Sequence, residues 1–91
     1  MSEIGLHQLE AVLFAAATPL SVDTLADIFE VHVPIMEEAV LRYGQDLVEE
    51  GRGIRLRTSA SGIELVSAQE CSEYVTKIRH RDEKLSGPAM E

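Results

Sequence analysis

Leu6, Leu9, Val12, Leu13 and Ala16 recur at the 3.6-residue spacing of one helix face and predict a first helix over residues 4–17. The opposite side of that helix is not polar. Ile4, Ala11, Phe14 and Ala15 gather there around His7, interrupted only by Gln8 and Glu10. A helix apolar on two sides is either enclosed in a core or shared with a partner. Pro19 disfavours a helical residue before it, so Thr18-Pro19-Leu20 ends the helix and leaves Leu20 for a strand of one or two residues. Ser21 suits an N-cap, and Asp23 falls in the first turn, where the helix dipole favours an acid. A short second helix is expected to run to about Phe29 and to bury Leu25, Ile28 and Phe29.

Val31-His32-Val33 makes a tight connection, and Pro34 suits the start of a third helix, where no amide hydrogen is needed. That helix is expected to reach Glu50, with Ile35, Ala39, Val40, Tyr43 and Leu47 on its buried face. Gly44 lies inside it at a cost of about 1 kcal/mol relative to alanine, unless close packing needs it. Gly51 fits the left-handed position that ends a helix. The period then changes. Ile54, Leu56 and Thr58 alternate with Arg55 and Arg57, Ser59-Ala60-Ser61-Gly62 is turn chemistry, and Ile63-Glu64-Leu65-Val66 returns. The pair reads as a β-hairpin. A fourth helix is expected from about Gln69 to Arg79 with Tyr74, Val75 and Ile78 facing inward, followed by a charged linker from His80 to Lys84. Leu85-Ser86-Gly87-Pro88 resembles the cap of one more helix.

Helix, short strand, helix, turn, helix, hairpin is the order of an α+β winged-helix domain, in which the hairpin is the wing. That fold serves DNA reading and protein assembly alike, so its surface chemistry must decide. The 91 residues carry a formal charge of −8, distributed unevenly. Residues 1–51 hold ten acids and one base, and residues 52–91 hold seven bases and six acids. Hydrophobic residues make up 45% of the chain, enough for a core, but aromatics are 4% and tryptophan is absent, so aliphatic side chains must fill it. The longest apolar run, Ala11 to Ala17, is too short to span a bilayer and follows no basic segment of a signal peptide. A single cysteine, Cys71, forms no internal disulfide, which points to a reducing, cytosolic setting.

A recognition helix should offer Arg, Lys, Asn or Gln near its N-terminus. The third helix instead opens Pro34-Ile35-Met36-Glu37-Glu38 and holds five acids and one base from 34 to 50. Glu37 and Glu38 suit its dipole but repel a phosphate backbone. The wing, with Arg52, Arg55 and Arg57, is the better candidate for weak, non-specific DNA contact; alternatively it is a solvated strand face with Glu64 pairing across the hairpin. Catalytic and metal chemistry find no support. His7, His32 and His80 share no ligand spacing with Cys71, and Gly51-Arg52-Gly53 lacks the rest of any phosphate-binding fingerprint. No cofactor, catalytic residue or metal ligand is expected. The second face of the first helix carries the sharper expectation. Either the second and fourth helices cover it within one chain, or Ile4, His7, Ala11, Phe14 and Ala15 meet the same surface of a second copy, with Phe14 as the anchor.

Leu9-Glu10-Ala11-Val12-Leu13-Phe14-Ala15, then Pro19-Leu20-Ser21 and Leu25-Ala26, resemble the opening of ScpB, the segregation and condensation protein B family of bacteria. Gly51-Arg52-Gly53-Ile54-Arg55-Leu56 resembles that family's entry into the wing, and Gly62-Ile63-Glu64-Leu65-Val66 its exit. Leu85-Ser86 with Ala89-Met90-Glu91 resembles the start of the family's second winged-helix domain. Val31-His32-Val33-Pro34 and Gly44 differ from the family pattern around the third helix. The resemblance implies an N-terminal winged-helix domain over residues 1–80, with 81–91 a linker and the beginning of a truncated second domain. It implies a non-enzymatic, homodimeric subunit that binds the kleisin ScpA and, through it, the SMC ATPase. The setting would be a condensin-like complex for chromosome condensation and segregation, cytoplasmic and associated with the nucleoid. The competing expectation is a DNA-binding transcriptional regulator of the same fold that uses the arginine-bearing wing.

Overall fold

A computed structural model describes residues 4–78 as three helices, a hairpin and a final helical segment. Helix α1 spans Leu6–Ala15, shorter at both ends than the expected 4–17. Gly5 is its N-cap, with the Gln8 side chain accepting from the Gly5 amide at 3.3 Å. The chain turns extended at Ala16, which frees Leu20 to pair with Ile63: amide to carbonyl at 3.0 Å one way and 2.7 Å the other. The expected short strand at Leu20 is therefore a single bridge. Helix α2 spans Val22–Phe29, and the Ser21 hydroxyl caps it by accepting from the Thr24 amide at 3.1 Å. It ends on Glu30 in the left-handed conformation, φ 58°, with the Val31 amide reaching back to the Ala26 carbonyl. Helix α3 spans Val33–Glu49 with Pro34 in its first turn, and it closes through Gly51 at φ +65°, as its sequence predicts.

Strands β1 (Ile54–Ser59) and β2 (Gly62–Ser67) pair antiparallel around a two-residue turn, in a register that sets Arg57 opposite Glu64. The Ala68 amide bonds the Gly53 carbonyl at 2.8 Å and closes the hairpin's base. A short 3-10 turn, Gln69–Cys71, leads into α4, helical over residues 72–78. The helix, bridge, helix, helix, hairpin order is the winged-helix arrangement, an α+β fold.

Leu9 and Leu13 of α1, Leu25 and Ala26 of α2, Met36, Ala39, Tyr43 and Leu47 of α3, and Ile63 of β2 form the core. Ile35 and Val40, expected in that core, pack at its margin, and Met36 takes the central place. Three residues expected inside lie outside. Ile28 is exposed, because the eight-residue α2 turns Leu25 and Ala26 inward and leaves Ile28 on its flank. Tyr74 and Ile78 are exposed as well, and only Val75 of the three is half-buried. The expected linker from His80, the cap at Leu85-Ser86-Gly87-Pro88 and the domain boundary after residue 80 lie outside the described residues.

Candidate functional site

The 3.6-residue period of α1 sends Leu9 and Leu13 into the core and turns His7, Ala11, Phe14 and Ala15 to solvent. Phe14 is 82% exposed, an aromatic ring with no cover from α2, α3 or the hairpin. Ile4 does not share that surface. It precedes the helix and folds back into the core at 8% exposure, so it leaves the proposed interface set. What remains is one aromatic between small residues, a surface that permits close approach of another helix.

Beside this face, α1 and α3 enclose a small cleft of about 180 Å³ lined by His7, Glu10, Tyr43, Asp46, Glu50 and Arg52. Arg52 spans it, 3.7 Å from Glu10 of α1 and 3.5 Å from Glu50. The Tyr43 hydroxyl is buried next to Glu10 and makes no hydrogen bond of normal geometry. Burial pushes its pKa well above the ordinary tyrosine range; the Glu10 carboxylate adds to this, while Arg52 opposes it.

The wing arginines are all engaged. Arg55 donates to both oxygens of Glu70, at 3.3 and 3.2 Å, and to the carbonyls of Arg52 and Ile54. Arg57 meets its cross-strand partner Glu64 through two guanidinium nitrogens. Alternation places Arg55 and Arg57 on one face as predicted, but each guanidinium already sits against a carboxylate. Such a surface offers a phosphate backbone little uncompensated positive charge. The opening of α3 stays acidic, with Glu37 and Glu38 exposed.

A larger groove of about 660 Å³ lies between α3 and the hairpin, floored by Val40, Gly44, Leu56 and Ile63. Leu41 and Val48 stand on its lip, 64% and 58% exposed. The sequence signal for it was available: Leu41 and Val48, two turns apart, fall outside the core stripe of α3. His7, His32 and Cys71 do not converge, and among the described residues no group of three His, Cys, Asp or Glu side chains is arranged to hold a metal ion. No helix among them is long and apolar enough to cross a membrane.

Comparison with known proteins is consistent with this geometry. The family model described as segregation and condensation complex subunit ScpB matches residues 7–91. A segregation and condensation protein B from Carboxydothermus hydrogenoformans is 34% identical over 70 residues, 77% of this chain and 38% of that protein. Among solved structures, ScpB from Mycobacterium tuberculosis superposes with a TM-score of 0.79 at 26% identity, covering 86% of this chain and 49% of that one. A dimer of an ScpB N-terminal domain complexed with ScpA peptide superposes with a TM-score of 0.75 at 30% identity, over 80% of this chain and 91% of that one. The chain thus spans half or less of the length of the first two relatives and nearly the whole of the isolated N-terminal domain.

Proposed function

The chain belongs to the ScpB family of segregation and condensation complex subunits, and from that premise we propose that it is a non-enzymatic scaffold that pairs with a second copy of itself and binds the kleisin ScpA. Residues 1–80 are its N-terminal winged-helix domain, and 81–91 begin the connection to a second. The observation that carries the reading is Phe14, 82% exposed between Ala11 and Ala15 on the outer face of α1. A large ring left in water beside small residues is the kind of anchor that an isologous contact buries. The domain dimer bound to ScpA peptide supports the same reading by likeness, since it matches this chain over most of both lengths. Two copies would present paired sites to ScpA, which links them to the SMC ATPase in a condensin-like complex in the cytoplasm, on the nucleoid. The chemistry of the scaffold is burial of apolar area rather than bond making, and no general base, nucleophile or phosphate cradle is needed.

Absolute mass by light scattering, across a tenfold concentration range, tests the pairing. The expected mass is twice the 10.0 kDa of the chain. Phe14→Asp should return the monomer while leaving the melting temperature within a few degrees, because Phe14 contributes little to the core. A Phe14→Asp protein that unfolds, or one that stays dimeric, would remove α1 from the interface. The regulator reading finds no comparable observation, because Arg52, Arg55 and Arg57 are each paired with a carboxylate. Any DNA contact by this wing is weak and non-specific.

A further inference from the structure

We infer that the cleft between α1 and α3 is a binding site for a primary ammonium group, held by the carboxylates of Glu10 and Asp46 and by the hydroxyl oxygen of Tyr43. This site is independent of the pairing and of ScpA. Tyr43 lines the cleft at only 4% exposure, and its buried hydroxyl makes no hydrogen bond of normal geometry. Leaving such a group unpaired is costly, and a donor entering the cleft would satisfy it. Glu10 lines the α1 side. Asp46 lies three residues beyond Tyr43, about one turn along α3, half-buried and in no ion pair with another described residue.

The lining groups define the ligand by charge and by hydrogen-bonding capacity. Glu10, Asp46 and Glu50 outnumber Arg52, the one guanidinium in the lining, so an anion is disfavoured. Arg52 reaches Glu10 and Glu50 only at 3.7 and 3.5 Å and leaves Asp46 without a cation. Among the described residues no three His, Cys, Asp or Glu side chains are placed to hold a metal ion, which leaves a cation bound through hydrogen bonds. An ammonium offers three donors and no acceptor. Glu10 from α1, Asp46 from α3 and the phenolic oxygen are three acceptors for them, and the phenolic proton is then free to turn to the neighbouring Glu10. Leu6 and Leu47 complete the lining with apolar surface suited to a methylene chain. At about 180 Å³ the cleft admits such a head and a few carbons. The terminus of a small aliphatic amine and a lysine side chain of another protein share this chemistry.

Amide NMR spectra of the isotope-labelled full chain, recorded at neutral pH and constant ionic strength while methylammonium chloride is added, test this. Saturable shifts are expected at Glu10, Tyr43, Asp46 and Arg52, with half-saturation in the millimolar range that so small a ligand permits. Tetramethylammonium has the same charge and no N–H donor, and should produce none of them. Asp46→Asn and Tyr43→Phe should each raise the half-saturation concentration about fivefold or more, the first by removing a charged acceptor and the second the phenolic oxygen. Both replacements keep the shape of the side chain, so the variants should fold, and the same spectra show whether they do. Glu38→Gln, at an exposed acid of α3 that does not line the cleft, should change nothing. Absence of saturable shifts with methylammonium overturns the inference. So do equal shifts with tetramethylammonium, which would mark ionic screening, or an unchanged titration of folded Asp46→Asn, which would put the ammonium elsewhere. With the site established, diaminobutane and Nα-acetyl-lysine amide distinguish the two sources: tighter binding of the first assigns it to a free aliphatic amine, and of the second to a protein lysine.

Discussion

Tyr43 carries its hydroxyl into the seam between α1 and α3, buried beside Glu10 without a hydrogen bond of normal geometry. Removing an unpaired buried hydroxyl while keeping the ring costs little, so Tyr43→Phe should hold or raise stability at neutral pH. The alkaline side differs. Above about pH 10 the unfolded chain gives up the phenolic proton. The folded chain keeps it, because burial and Glu10 hold the pKa high. The folded state then binds more protons, and stability must fall as pH rises. Urea unfolding from about pH 8 to about pH 11 should decline more steeply for the wild type than for Tyr43→Phe, and equal slopes would refute this account. Gly44 and Gly62 differ in what an added side chain would meet. Gly44 is helical, and an added methyl would meet Leu56 at ordinary contact distance, so Gly44→Ala should gain about 0.5–1 kcal/mol. Gly62 has φ +129°, and a Cβ there would stand 2.8 Å from the backbone of Leu20, so Gly62→Ala should cost more than about 1 kcal/mol. Denaturant midpoints of the two variants should move in opposite directions. The need for glycine at 62 was readable as turn chemistry. Its stronger reason was not, because Leu20 approaches from the other side of the chain.

Among the elements, periodicity and caps carried most of the information. Ser21, Pro34 and Gly51 mark helix ends by local chemistry that operates whatever the tertiary fold, and all three act as their sequence suggests. The residues misplaced from sequence are those whose burial depends on a neighbour. Ile28, Tyr74 and Ile78 satisfy a helical period, yet no element among the described residues covers them, and Glu30 takes a left-handed conformation that its side chain does not announce. The wing depends on register. Once Arg57 faces Glu64, the guanidinium is held by a carboxylate across the ladder, though it remains largely open to water. A double-mutant cycle of Arg57→Ala and Glu64→Ala should therefore give a coupling of about 0.2–1 kcal/mol, reduced by salt. A larger, salt-insensitive coupling would mean that the pair is shielded in a way its exposure does not allow.

For the molecule as a whole, the assignment of each apolar face was the part that sequence left open. The two-sided pattern of α1 allowed either an intrachain cover or a partner, and the packing of Leu9 and Leu13 against α3 and the hairpin leaves the Phe14 side bare. Ile4 belonged to that side by helical period alone, but the helix begins after it. The groove beside α3 left only a partial sign in the sequence: Leu41 and Val48 fall outside the core stripe, but the Leu56 and Ile63 that face them are brought there by the packing of the hairpin. The single bridge between Leu20 and Ile63 has a consequence of another kind. The bridge blocks the outer edge of β2 at Ile63, whereas the β1 edge is open along its length among the described residues. Arg55 and Arg57 lie on β1 itself, so that open edge carries the charged side chains by which sheets discourage runaway strand addition and aggregation.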